Sequence, residues 1–278
     1  MTTWTLLTTA WSLQPSVLAG CGGLFAAYSV ACMGLARPTR GEAASLGRAA
    51  AFLAGVLLLL LALISPLDTL GDRYLFSVHM AQHLLLVLIV PPLLLLGLPP
   101  WLAARLLSWA PAGAAERVLG QPALAWALGV GTLWLWHAPA LYNAALAAEN
   151  VHVAQHLTFL VAATVFWWPV LAPPGSRRLA ALPAMLYLFT AGAANSVLGI
   201  LLTFAPPGLY PLYLNPPDPL GLLPLLRGGW GLSPTADQQA GGLLMWVAGG
   251  PIYLAAILAT LVRWFAEPDD ERRTLHAA

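Results

Sequence analysis

Two copies of one heptapeptide hold four of the six histidines in this chain. Val78-His79-Met80-Ala81-Gln82-His83-Leu84 recurs 73 residues later as Val151-His152-Val153-Ala154-Gln155-His156-Leu157. Each copy opens a long apolar stretch, which places it near one end of a helix. On a helix, residues four apart share a face, so each copy presents two imidazoles side by side. Of the six histidines, His137 is the fifth candidate and His276 lies in the C-terminal tail. Ionisable groups inside apolar segments are costly and mark function by default. Neutral imidazole is the commonest metal ligand, and the i, i+4 pair is a known metal-binding spacing. Two such pairs and a fifth histidine at one depth point to a metal or haem centre ahead of a structural hydrogen-bond network or a proton relay.

The neighbouring residues narrow the chemistry. Neither cysteine, Cys21 or Cys32, is near the histidines, so a thiolate cluster is not expected; imidazole suits copper, zinc, iron and nickel. Two thioethers, Met80 and Met245, tilt the choice to copper, since sulfur ligands of this kind select Cu(I). Met80 is turned by about 100° from His79 on a helix and need not face the same way. Asp68 and Asp237 fall at the same level, as ligands or as groups that orient a histidine. Asp237 reads equally as a carboxylate at the positive end of its own helix. Gln82 and Gln155 recur inside the repeat, where their amides can hold a histidine tautomer or a neighbouring backbone. Tyr142, and more weakly Asn143, follow His137. Copper is the expected ion, with haem or zinc behind it. A metal-dependent hydrolase needs a general base beside an open metal position. Gln, not Glu, precedes each second histidine, so no catalytic residue is assigned.

The elements that position these residues are transmembrane helices. The 278 residues are 59% hydrophobic and 8% charged, with mean hydropathy +0.77, against about 25% charge in a soluble domain. The formal net charge of +1 offers no basic surface for nucleic acid; the lipid bilayer is the partner the composition demands. Seven apolar segments are long enough to span: 15–36, 46–64, 74–97, 121–138, 149–171, 179–204 and 238–264. Unpaired backbone is not tolerated in lipid, so these are helices and the fold class is an all-α polytopic bundle. Residues 1–14 contain no basic residue, so the first segment reads as a retained span rather than a cleaved signal. Cys21 and Cys32 lie about 16 Å apart along that helix, too far for a disulfide.

All twelve basic residues are arginine, and they set the expected orientation. Arg37, Arg40, Arg48, Arg105, Arg117, Arg177, Arg178, Arg263, Arg272 and Arg273 fall on one side, and only Arg73 and Arg227 on the other. The arginine-rich side is cytoplasmic, which puts the N-terminus outside, the tail 267–278 inside, and all five candidate histidines in the outer leaflet. Pro91 and Pro92 are expected to kink the third span two turns beyond His83, and Pro169 and Pro251 are candidate bends. Asn195 in the sixth span is expected to make an interhelical hydrogen bond. Trp134, Trp136, Trp167 and Trp168 are explained as interfacial aromatics. The Pro-rich connection 205–237 is long enough to be a cover, a partner platform or a plain linker on the histidine side.

Taken together, several blocks resemble a known family. They are His79-Met80-Ala81-Gln82-His83, Pro91-Pro92-Leu93-Leu94-Leu95-Leu96-Gly97, Trp136-His137-Ala138-Pro139-Ala140-Leu141-Tyr142, Phe166-Trp167-Trp168-Pro169-Val170 and Asp237-Gln238-Gln239-Ala240-Gly241-Gly242-Leu243-Leu244-Met245-Trp246. Over residues 50–265 their order and spacing are similar to the bacterial CtaG family of polytopic cytochrome c oxidase assembly factors. The unrelated single-span copper chaperone of the same name is not meant. The resemblance implies a non-enzymatic part in maturing a haem–copper oxidase in a bacterial plasma membrane. It also implies copper supply to an oxidase metal centre, with an oxidase subunit or a copper chaperone as partner. No chaperone-type Cys-x-x-x-Cys pair is present. The alternatives are a haem-binding redox protein, its axial histidines drawn from the third and fifth spans, and a metal-dependent membrane enzyme.

Overall fold

A computed structural model describes residues 3–35, 45–173 and 176–266. Arg37, Arg40, Arg272, Arg273, His276 and the expected tail 267–278 lie outside the described residues. Every regular element among the described residues is helical. Six helices are long and apolar enough to cross a membrane: span one (Pro15–Met33), span two (Leu46–Ile64), span three (Phe76–Gly97), span five (Glu149–Leu171), span six (Ala181–Phe204) and span seven (Pro234–Ala266). Span four, Pro122–His137, has 16 residues, roughly 24 Å at 1.5 Å per residue and short of a hydrocarbon core of about 30 Å. It qualifies only together with Ala110–Leu119, from which it is bent by 78°. The break falls where Gly120 and Gln121 precede Pro122, since a proline opens a new helix more readily than it continues one. The large side chains left exposed, such as Val161, Leu186, Phe189, Phe204 and Val262, are those a bilayer would cover.

Span three is the most enclosed and span one the least. Phe159, Phe166, Trp167, Leu188 and Tyr253 pack spans five, six and seven around span three, while Tyr28, Phe52, Val56 and Leu86 join it to spans one and two. Tyr28 stacks on Phe52 with ring centroids 3.8 Å apart and donates to Gly97 O at 3.0 Å. Cys21 and Cys32 are free thiols in this part of the bundle.

Pro91 and Pro92 act through the backbone they leave unpaired. Proline has no amide hydrogen, so Val87 O, four residues ahead of Pro91, loses its helical donor. The helix widens into a π-turn over Leu85–Ile89, and Trp167 Nε1 donates to Val87 O at 2.9 Å. Trp167 is thus a buried brace on span three, not an interfacial residue as expected. A second π-turn, Leu244–Ala248, widens span seven ahead of Pro251. There Asn195 Nδ2 donates to Met245 O at 2.6 Å, the interhelical bond expected of it. Arg48 donates to Leu96 O and Leu98 O, both at 3.3 Å, where span three runs out of partners for its last carbonyls.

The connection after span six is not plain linker. Phe204 ends the helix, Pro211–Tyr213 and Pro224–Gly229 are short helical turns, and Tyr210, Tyr213, Leu222 and Leu226 are buried. Gly208, Gly221 and Gly231 take positive φ angles at its corners, conformations that favour glycine. Span seven begins at Pro234 rather than 238, because Ser233 Oγ accepts from Ala236 N at 3.2 Å and caps it.

Spans two and three meet at Gly97, where a Cβ would lie 2.6 Å from Phe52 N. Neither backbone can yield cheaply. Gly97→Ala is expected to lower stability by about 1–3 kcal/mol, read as an earlier thermal unfolding midpoint in detergent. An unchanged midpoint would mean the two spans are not in this register.

Candidate metal centre

The histidine site is built from the first turns of spans three and five, the last turn of span four, and the connections that fold over them. The start of span three lacks a cap of its own, since Leu75 has no polar side chain and the first amides of a helix have no internal partner. Asp237, from the first turn of span seven, supplies it. Phe76 N donates to Oδ2 at 2.7 Å, Ser77 N donates to Oδ1 at 3.0 Å, and the Ser77 hydroxyl also donates to Oδ1. Asp237 therefore fixes the helix end that carries His79, with both carboxylate oxygens engaged.

The two repeated pairs face each other. Ring centroids are 4.3 Å apart within His79–His83 and 4.2 Å within His152–His156. Across the spans they are 5.3 Å for His79–His152, 6.0 Å for His79–His156 and 5.7 Å for His83–His156. His137 joins from span four, 5.6 Å from His83. All five rings are buried.

The supporting hydrogen bonds assign the tautomers of two rings, His79 and His137. The Tyr213 hydroxyl donates to Gly71 O at 2.7 Å, so its oxygen accepts from His79 Nδ1–H at 2.9 Å. The lone pair of His79 is then on Nε2. His137 Nδ1–H donates to Leu133 O at 2.7 Å, which leaves the Nε2 lone pair facing Met80 Sδ at 3.3 Å. A thioether has no proton to give, so two electron-pair donors sit side by side. Met80 thus points away from the His79 face, as its helical angle allows, and meets span four.

Nε2 of His79, His83, His152 and His156 is buried without a hydrogen-bond partner, as is Nδ1 of His83. Orphaned buried polar atoms are rare and need a cause. In a structural network these nitrogens would bond one another or the backbone. His79, His152 and His156 can each direct one ligand atom to within 4.8 Å of the others', and imidazoles at that spacing with free lone pairs suit a borderline metal ion.

The remaining expected residues divide into those at the centre and those behind it. Met245 lines a small cavity of about 10 Å³ with Met80, His83 and Asn195, directly inward of the rings. Asp68 is a support: its Oδ2 accepts from Ser12 Oγ at 2.7 Å and its Oδ1 from Gln82 Nε2 at 2.9 Å. Gln82 also donates to Ala62 O at 2.9 Å, tying span three to span two. Gln155 is buried with neither amide atom partnered. Tyr142 stacks on Tyr210 with centroids 3.9 Å apart, its hydroxyl 3.3 Å from that of Tyr213. Burial pushes the phenols of Tyr142 and Tyr213 up, so both stay protonated.

Three residues at the site were not foreseen. Tyr213 comes from the Pro-rich connection, and nothing local marks it. Asp72 and Glu149 form a second group with His152, their ligand atoms also within 4.8 Å of one another. Burial pushes the Asp72 carboxyl up, opposed by His152, whose Nδ1 is 3.6 Å from Asp72 Oδ1. Glu149 was legible in principle, three residues before His152 on the same helix face.

A family model described as cytochrome c oxidase caa3 assembly factor matches residues 26–267. An uncharacterised protein of Mycobacterium leprae is 28% identical over 240 residues, which cover 81% of this chain and 35% of that protein. Uncharacterised proteins of Mycobacterium bovis and Mycobacterium tuberculosis are each 29% identical over 264 residues, 89% of this chain and 38% of theirs. The chain thus spans little more than a third of the length of these relatives. No solved structure matches it significantly.

Tyr213→Phe removes the acceptor of His79 and the donor to Gly71 together. The expected cost is about 1–3 kcal/mol, since buried groups are left unpaired, seen as a lowered midpoint in thermal unfolding. No change in midpoint would separate this hydroxyl from the support of His79.

Proposed function

This chain belongs to the cytochrome c oxidase caa3 assembly factor family, and from that premise we propose that it carries a copper ion at the histidine cluster and supplies it to a metal centre of a haem–copper oxidase. The observation that carries this reading is the set of four unpartnered Nε2 atoms of His79, His83, His152 and His156. They are buried together with no partner among the described residues, and at His79 the hydrogen bond made by Nδ1–H leaves the lone pair on Nε2. The copper is cargo, and the role is non-catalytic: the chain's own residues bind, orient and release it. His79 is turned by Tyr213 so that Nε2 is the binding atom. His137 Nε2 and Met80 Sδ, 3.3 Å apart, add an imidazole and a thioether on the inner side. That nitrogen–sulfur pair favours Cu(I) over Zn(II). Haem is disfavoured because the facing rings of spans three and five stand edge-on with centroids 5.3–6.0 Å apart, which leaves no slot for a macrocycle between them.

The distribution of arginines supports an extracytoplasmic position for the cluster in the plasma membrane. An oxidase subunit, or a chaperone that loads the site, is the partner that follows. Since the relatives are far longer than this chain, the segments they add are further candidates for that contact.

Metal analysis of the purified protein tests the ligands. Wild type is expected to hold stoichiometric copper and His79→Ala/His83→Ala to fall to background. Full copper in the double variant would remove these residues from the site, and a Soret band in wild type would replace the copper reading with haem. Met80→Leu is expected to weaken Cu(I) binding by about tenfold or more while leaving Zn(II) binding little changed, as expected for a soft ligand. Equal effects on both ions would exclude the thioether.

A further inference from the structure

We infer that the cleft walled by Asp72, Arg73 and Glu149 is the way in and out for the metal ion, and that these two carboxylates with His152 form an outer transfer site ahead of the histidine cluster. The inference rests on the copper reading given above and assigns its access route.

The cleft is a separate cavity of about 310 Å³, closed on its other sides by Leu146, Leu212 and Pro217. Its acidic groups are graded in depth. Glu149 is exposed at the mouth and held there by Gln14, whose Nε2 donates to Glu149 Oε1 at 3.2 Å. The Asp72 side chain is 23% exposed, and that of His152, 3.6 Å further on, is 6% exposed.

An acidic pair alone would be no site, and His152 is what makes this one. It is buried, its Nδ1 lies toward Asp72, and its Nε2 has no partner. It is also the one residue shared by both candidate ligand groups, Asp72–Glu149–His152 and His79–His152–His156. An ion at the outer group therefore reaches the inner one by exchanging ligands around a single side chain. The exchange involves no redox change: carboxylate oxygens leave as the imidazole nitrogens of His79 and His156 bind.

The ligand types give that exchange a direction. Carboxylate oxygens suit a soft ion poorly and imidazole suits it better, with the thioether of Met80 deeper still. Affinity thus rises inward, while the negative charge at the mouth concentrates cations from solution. Arg73, on the same wall, moderates that charge and keeps the outer site from becoming a trap.

The test is a stopped-flow measurement on the full chain in nanodiscs, following transfer of Cu(I) from its coloured bicinchoninate complex. Asp72→Asn/Glu149→Gln is expected to slow loading by about tenfold, the scale of electrostatic focusing at a charged cleft, and to remove the dependence of wild-type loading on ionic strength. The copper held at equilibrium is expected to fall less than the loading rate does. Ala147→Trp, placed at the exposed rim of the same cleft, leaves both carboxylates intact and is expected to slow loading and release alike. It decides the matter if the double variant does not fold, as judged by gel filtration and helical circular dichroism. Wild-type loading rates in the carboxylate variant, or in Ala147→Trp if only that variant folds, would overturn the access route while leaving the histidine ligands standing. A carboxylate variant that loses equilibrium copper but loads at the wild-type rate would overturn the transfer role as well. A wild-type protein that takes up no copper at all would instead sink the copper reading, and this inference with it.

Discussion

The site hangs on the carboxylate of Asp237. A helix that begins inside a protein exposes amides with no internal partner, and span three begins with no cap of its own. Asp237 satisfies the amides of Phe76 and Ser77 from a residue more than 150 positions away in sequence. That contact joins the last span to the most enclosed one and sets where His79 sits, one turn further on. Gly241, one turn after Asp237, lets the two helices approach: a Cβ there would meet the Phe76 ring at about 2.4 Å. The close approach and the carboxylate cap are one interlocked contact.

With span three placed, the donors fall into three tiers. Carboxylate oxygens lie at the cleft, imidazole nitrogens at the level of the repeated pairs, and thioether sulfur behind them. Nothing in a hydrophobic bundle requires such an order, and each tier costs burial of groups that prefer water. The supports are arranged to leave lone pairs free rather than to consume them. The Tyr213 hydroxyl oxygen accepts a hydrogen bond from His79 Nδ1–H, Leu133 O accepts one from His137 Nδ1–H, and each leaves the opposite nitrogen open. Ring orientation by a second layer of hydrogen bonds is common in metal sites.

Those features that repeat along one helix were legible in the sequence. The i, i+4 pairs, the lipid-length segments and a disturbed backbone ahead of Pro91 all follow from helical geometry and from lost amide hydrogens, though the disturbance is a π-turn rather than the expected kink. Span four, read over 121–138, is the helix Pro122–His137; what hydropathy does not show is the 78° break from Ala110–Leu119 ahead of Pro122. What could not be read is whatever depends on which helix stands beside which. Tyr213 lies in a proline-rich connection whose composition fits a linker equally well. Trp167 has the sequence context of an interfacial tryptophan, and only the carbonyl freed by Pro91 reveals its use. Asp237 reads equally as a ligand, a group that orients a histidine, or a carboxylate at the start of its own helix, and nothing local shows that it caps span three instead.

The π-turn in span three has a further meaning. Proline kinks often serve as swivels, because a missing hydrogen bond leaves the two halves of a helix free to pivot. Here the indole of Trp167 donates to the vacated carbonyl of Val87 from the neighbouring helix and replaces the missing bond. Span three is therefore braced across its missing hydrogen bond, and its two halves are not free to pivot there. Any opening of the histidine cluster is then expected from the connections folded over it rather than from flexing in the middle of the span.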